Sequence, residues 1–358
     1  MEIGVSTFVE TTPDVHTGKT MSHAERIREV VEEIVLADQV GLDVYGVGEH
    51  HRPDFAASAP AVVMAAAASL TSKIRLTSAV MILSSSDPVR VFQDFATLDA
   101  VSNGRAEIMV GRGSFMESFP LFGYDVKDYE ELFDEKLELL LQIQQSEKVT
   151  WSGKHRAAID NLGIYPRPVQ DRLPVWIGSA GSPESAIRAG AMGLPFALAI
   201  IGNVNPSQYA AHVKLYKEAA AKAGHDVSRL PIATHSHGFI AESNEKALEQ
   251  FFPSTHARTN FRAVEKGLPP YHRADYDAAC KFDGALYVGD PETVANKIIY
   301  LRKEVGITRF LLHVPHGTMP HAEVMEAIRL LGTEVAPRVR DEISRWEQEQ
   351  GMEKAGRL

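Results

Sequence analysis

Only one cysteine, Cys280, occurs in the 358 residues. An internal disulfide is excluded, and so is any Cys-x-x-Cys metal site. This thiol usage suits a reducing compartment, and a cytoplasmic location is expected. Positive charge is scarce as well: 37 Lys and Arg stand against 47 Asp and Glu, for a net charge of −10. The chain therefore lacks the global footprint of a nucleic-acid or anionic-membrane binder. A phosphate-bearing ligand is not excluded, because one local arginine can serve a phosphate. Long apolar runs are missing. The longest, around Ala59–Leu70, is alanine-rich and too short for a bilayer. The opening MEIGVSTFVETT has no basic stretch followed by an apolar one, so no signal peptide is expected. Also absent is the Gly-x-Gly-x-x-Gly turn of dinucleotide-binding doubly wound sheets.

What is present is alternation. Hydrophobic residues make up 44% and charged residues 23%, a balance that supports a sizeable core. The length suits one barrel with insertions, since such barrels run from roughly 200 to over 400 residues. Strands are expected at Ile3–Phe8, Asp43–Val47, Ile74–Leu83, Ala106–Val110, Val175–Gly178, Phe196–Ile201, Ile232–Ala241, Leu286–Val288 and Arg309–Val314. Amphipathic segments separate them. Met21–Val40 carries Ile27, Val30, Val31, Ile34 and Val35 at helical spacing and stops at Gly41. Pro88–Val101 has Asp87 as N-cap, Pro88 at its first position and Asn103-Gly104 as its stop. Other helices are expected at Ala59–Leu70, Lys127–Gln145, Pro183–Ala191, Ser207–Ala223, Pro291–Val305 and Met319–Glu334.

Repeated β-then-α order implies parallel strands joined by right-handed crossovers, and eight such units close a barrel. The expected class is α/β, a (β/α)8 TIM barrel with insertions at its C-terminal mouth. One domain would cover 1–338, with insertions at about 149–168 and 242–283. The second insertion holds Pro253, Gly267, Pro269 and Pro270 and is expected to be irregular and only partly helical. Residues 339–358 read as a charged, solvated tail. An open doubly wound sheet is the competing architecture.

Barrel enzymes assemble their sites at strand C-termini, so polar residues there are the candidates. The second strand ends in Glu49-His50-His51. Histidine titrates near neutrality and suits general acid–base work; a solvated loop is the alternative. After the fourth strand stands Gly111-Arg112-Gly113, where glycines let the backbone approach closely and a guanidinium matches phosphate geometry. The fifth strand runs into Gly178-Ser179-Ala180-Gly181-Ser182-Pro183-Glu184-Ser185. That is a small-residue loop opening a helix, whose free N–H groups and dipole favour an anion. Val288-Gly289-Asp290-Pro291 repeats the pattern, but Asp290 would repel a phosphate and reads as a cap. His235 and His237 share one face of a strand, and His313 and His316 end the last strand. With His313 the first two could serve a metal-dependent TIM-barrel hydrolase.

In combination these segments resemble the bacterial luciferase-like monooxygenases. The resemblance is carried by Glu49-His50-His51, by Pro88-Val89-Arg90 through Leu98-Asp99, Ser102 and Gly104-Arg105, by Gly111-Arg112-Gly113, by Phe122-Gly123, by Gly193-Leu194-Pro195 and by the Val288–Glu292 turn. It implies FMN at the mouth, delivered reduced by a separate flavin reductase, with O2 and a small organic substrate. It implies Arg112, Gly181, Ser182 and Ser185 at the phosphate, with Ala180 beside them, and a non-proline cis peptide at Ala79-Val80 against the flavin ring. Glu49, His50 and His51 would form the reactive end, with His50 as the base and no metal. A homodimer through helices of the first half, Ala59–Leu70 among them, is implied too. Two departures stand out: Gly111 replaces a reactive cysteine, and Glu130 replaces a second phosphate-side arginine. Light emission and a long-chain aldehyde substrate are therefore not expected. The same scaffold admits deazaflavin-dependent hydride transfer, and a non-catalytic flavin-storing subunit is a further alternative.

Overall fold

The computed structural model describes residues 1–200 and 205–355, with side chains through residue 350. Ile201, the last residue of the expected sixth strand, and residues 356–358 of the tail lie outside the described residues.

The β-branched runs form a closed parallel barrel. Its eight staves are β1 (Glu2–Thr7), β2 (Val44–Val47), the broken stave β3 (Arg75–Ser78) with β4 (Met81–Ile82), β5 (Ala106–Gly111), β8 (Val175–Ser179), β9 (Phe196–Ile200), β10 (Ile232–Ile240) and β12 (Arg309–His313). Each pairs with its neighbour, and β12 closes on β1 in the register Glu2↔Arg309 to Ser6↔His313. The open doubly wound sheet is thus excluded. The run Ile74–Leu83 is not one strand: it is interrupted at Ala79-Val80, whose peptide bond is cis. A short strand β11 (Tyr287–Gly289) adds to the far end of β10 rather than forming a ninth stave. The expected surface excursion is an antiparallel hairpin, β6 (Lys148–Trp151) with β7 (Ile159–Gly163).

The outer ring includes α1 (His23–Gln39), α2 (Pro60–Ala68), α3 (Pro88–Ser102), α4 (Ser118–Leu121), α5 (Tyr129–Gln145), α6 (Pro183–Ala191) and α7 (Ala210–Lys222). It continues with α8 (Asn244–Lys266), α9 (Arg273–Cys280), α10 (Pro291–Val305), α11 (His321–Leu330) and α12 (Ala336–Ala355). Local chemistry sets their ends. Asp87 accepts from the N–H groups of Val89 and Arg90 at 2.9 and 3.2 Å, and Asn103 takes the left-handed conformation that stops α3. No described helix is long and apolar enough to cross a membrane.

Two segments differ from the sequence reading. Residues 242–283 are mostly helical, and Pro253 lies inside the long helix α8. Proline removes one backbone hydrogen bond there, but the buried face of Ala247, Phe251, Ser254, Thr255, Arg258 and Ala263 keeps the helix running. The charged segment after 338 is helix rather than loose tail. Val339 and Ile343 are buried, and Arg302–Glu347 (2.7 Å), Lys303–Glu342 (3.2 Å) and Arg340–Asp43 (2.8 Å) tie its polar side to the barrel.

The barrel is sealed at its N-terminal end. Arg309 donates to Glu107 at 2.6 and 3.1 Å and to Glu2 at 2.7 Å, pairs its guanidinium face with Trp176 at 4.3 Å, and is fully buried. Arg75 joins Glu107 from the side. This closed ionic floor leaves the C-terminal mouth as the place where inward side chains meet solvent.

Candidate active site

Alternation along each strand decides what the mouth contains. One side of the wall is lined by residues with little or no side chain. A methyl group at Gly111 would lie 2.6 Å from a Val80 methyl, one at Gly178 2.7 Å from the other Val80 methyl, and one at Gly48 2.7 Å from the Phe8 ring. These glycines let Val80 and Phe8 reach inward. Glu49 binds this wall from β2: its N–H donates to Val80 O at 3.1 Å, and its carboxylate accepts from Ile82 N–H at 2.7 Å. The other carboxylate oxygen accepts from His51 Nε2–H at 2.7 Å. Glu49 is thus a buried brace between the broken stave and His51.

His50 points elsewhere. Its ring stacks on Phe55 at 4.0 Å and meets Phe8 and Phe115 at 5.0 and 5.4 Å, with Nδ1 buried and unpartnered. Burial, helped by the nearby charge of Arg258, pushes its pKa down to about 3. The near-neutral titration on which the sequence argument rested is absent. His50 is a neutral imidazole that can give or take one hydrogen bond.

Opposite lies a group the sequence suggested only as metal ligands. Strand register places Ser6, His313 and His237 on one level. Ser6 Oγ lies 3.3 Å from His235 Nδ1 and 3.4 Å from His313 Nδ1. The rings pack on one another, His235–His313 at 4.7 Å, His237–His313 at 4.6 Å and His237–His316 at 4.0 Å. Burial comes first in lowering the pKa of every one of the four; neighbouring histidines add to it for His235, His237 and His313, and the charge of Arg258 adds to it for His316, so that His235 and His316 are pushed down to about 4. They meet ring to ring, and their nitrogens do not converge. Among the described residues the group whose ligand atoms do converge is Glu29, Glu33 and His321 on outer helices, where Arg26 already holds Glu33 at 2.6 Å.

The arginine–serine group follows β5 and β8. Arg112 Nη2 donates to Ser185 Oγ at 3.3 Å, its Nη1 pairs with Glu130, and its guanidinium lies over Tyr129 at 5.3 Å. Ser182 caps α6 through Ser185 N–H at 3.3 Å. The N–H groups of Gly181 and Ser182 are not free as expected: both donate to Ser179 Oγ, at 3.2 and 3.0 Å. The Ser182 hydroxyl is spent on Glu184. Ala180 stands exposed at the rim.

Sequence reasoning missed the aromatic and cationic rim. Arg258 of α8 pairs with Glu10 and, at 3.3 Å, with Asp54, all under Phe55. Arg262, one turn on, lies over Phe115 at 3.9 Å. The only signal was their helical spacing within a segment read as irregular.

Fold and mouth define a (β/α)8-barrel protein whose inward polar and aromatic side chains gather at the C-terminal ends of its strands, where barrel enzymes assemble their sites. The chain belongs to the luciferase-like monooxygenase family, whose sequence profile matches residues 1–309. It is 33% identical over 189 residues to the N-acetyl-S-alkylcysteine monooxygenase of Bacillus subtilis, a match spanning 52% of this chain and 54% of that one. Among solved structures it resembles the monooxygenase RslO1 of Streptomyces bottropensis (TM-score 0.81, 24% identity, 94% of this chain and 99% of that one). It also resembles the oxygenating constituent of 3,6-diketocamphane monooxygenase from Pseudomonas putida, in complex with FMN (0.75, 22%, 95% and 98%). An F420-dependent secondary alcohol dehydrogenase is similar in fold too (0.74, 23%, 94% and 98%). An FMN-bound and an F420-dependent protein thus share this fold.

Proposed function

We propose that the protein is an FMN-dependent monooxygenase that receives reduced flavin from a separate reductase and uses O2 on a small organic substrate. One observation carries this reading: the side-chain-poor wall of Gly48, Gly111 and Gly178 around Ala79-Val80 lies between an arginine–serine pair and a ring of neutral imidazoles. A flat ring system with a phosphate tail fits that order. The absent Cβ atoms let Val80 and Phe8 pack into the wall and present an apolar face to such a ring, Arg112 and Ser185 would hold the phosphate, and Glu130 would have to yield Arg112. Bound reduced FMN would supply the electrons and the site of reaction with O2. The chain does the rest. Phe8, Phe55 and Phe115 exclude water from the reactive end, Glu49 fixes the broken stave, and His50 offers one proton position at Nδ1 without carrying charge. Glu49 and His51 then act by positioning.

The test is a fluorescence titration with FMN and, separately, with F420. Micromolar FMN binding weakened at least about tenfold by Arg112→Gln supports the reading, the size expected for a charged hydrogen bond. Binding of F420 but not FMN would favour the deazaflavin alternative, and binding of neither would overturn both. A homodimer through α2, where Val62 and, just past the helix end, Leu70 are exposed, belongs to the same proposal, and light scattering reads it directly.

A further inference from the structure

Three arginines border the reactive end of the mouth, and two of them are fully engaged. Arg258 is buried against Glu10 and Asp54. Arg52 bonds Asp54 at 2.8 Å, Glu117 at 2.7 Å and Glu265. Arg262 is different. Its nearest carboxylate among the described residues is Glu265, at 3.9 Å the limit of an ion pair, and Arg52 already takes the other oxygen of that group. Its Nη1 is buried with no hydrogen-bond partner. The side chain as a whole is 21% exposed, so Arg262 is not sealed off from the mouth as Arg258 is. Burial, then the charge of Arg258, makes its cation harder to keep than usual. A guanidinium shielded from water, next to two like charges and short of an acceptor, is an anion site awaiting its anion.

Its position says what that anion belongs to. The Arg262 guanidinium sits over the Phe115 ring at 3.9 Å, a ring that Arg52 also approaches at 4.7 Å, and Phe115 in turn meets His50 edge-on at 5.4 Å. One phenyl ring separates the fork from the imidazole. We propose that the substrate carries a carboxylate, that Arg262 binds it through the planar fork, and that Phe115 supports the chain leading from it toward His50. A carboxylate is the class favoured because the guanidinium fork donates to it bidentately and because its aromatic neighbours Phe115 and Phe55 suit an aliphatic or aromatic body beside it. The proposal rests on the monooxygenase reading for the site's purpose but not for its geometry. Arg262 is here a specificity residue, and it takes no part in the chemistry.

The experiment compares hexanoate with hexanamide, which has the same shape and no charge, in thermal-shift titrations of the full chain with and without FMN. Hexanoate is expected to bind at least about tenfold more tightly than hexanamide. Arg262→Gln should bring the ratio within twofold while leaving hexanamide affinity unchanged, and Arg112→Gln should leave the ratio intact. No preference in the unaltered protein, a preference surviving Arg262→Gln, or one lost only in Arg112→Gln would overturn the proposal. Should Arg262→Gln not fold, Arg262→Lys keeps the charge without the fork. A ratio that falls then supports the assignment, and an unchanged ratio refutes it. Loss of FMN binding with the hexanoate ratio intact would remove the cofactor reading alone.

Discussion

Acid should unfold this protein early, and the histidine cluster says by how much. His235 and His316 have pKa values pushed down to about 4 and His50 to about 3, in each case chiefly by burial. In the unfolded chain they return to roughly 6.5. A base with a depressed folded pKa stays neutral in the fold while the unfolded state takes up its proton. The stability they allow is complete above about pH 6.5 and is lost as pH falls toward 4. Between pH 8 and pH 5 each of the three costs about 2 kcal/mol, on the order of 6 kcal/mol together. His237 and His313 shift in the same direction. That loss is comparable with the whole stability of many domains, roughly 5–15 kcal/mol. Urea unfolding at pH 8, 7, 6 and 5, followed by tryptophan fluorescence, measures it. The free energy should fall steeply below pH 6.5, with a slope of about three protons or more, and His316→Gln should flatten the slope by about one. A free energy changing by less than about 1 kcal/mol over this range would refute the account of the cluster as buried and neutral.

Three other outcomes follow from single contacts. Replacing Glu130 by Gln frees Arg112 from its carboxylate; Glu130 is exposed, so FMN affinity in the fluorescence titration should rise by less than about fivefold, the value of a surface pair. Gly178→Ala drives a methyl against Val80 and should cost about 1–3 kcal/mol of stability in urea unfolding, as overpacking does, with a loss of FMN binding. Glu10→Gln leaves Arg258 with Asp54 as its remaining carboxylate; a loss of about 1.5–3 kcal/mol, the size of a hydrogen bond to a charged group, is expected, read as a lowered melting temperature.

The barrel was legible because strand and helix periods alternate along the chain, and caps such as Asp87 and Ser182 mark helix starts without help from tertiary contacts. The break at Ala79-Val80 was suggested by resemblance, whereas apolar patterning merged both halves into one strand. Helix α8 was misread because Pro253 is a local signal and the buried face that overrides it is a tertiary one. The same limit applies to the site. Glu49, His50 and His51 are adjacent in sequence, yet the fold sends His51 onto the Glu49 carboxylate and His50 into an aromatic cage, which strand alternation allows but does not specify. The N–H groups of Gly181 and Ser182 looked available for an anion because the Ser179 hydroxyl that takes them is part of the same short turn. Arg258 finds Glu10 across most of the chain, and no local pattern announces such a pair.

The seam between β1 and β12 joins residues far apart in sequence, Glu2 with Arg309 and Ser6 with His313. During synthesis the first stave is made well before its second neighbour and waits for it until residues 309–313 have emerged. Until then its edge groups are open to pairing with other chains. The floor acids Glu2 and Glu107 lack Arg309 over the same interval, and the mouth lacks His313. A nascent chain halted before residue 309 is thus an unsealed cylinder, and a chaperone that shields its first strand would act before any site exists to bind a ligand.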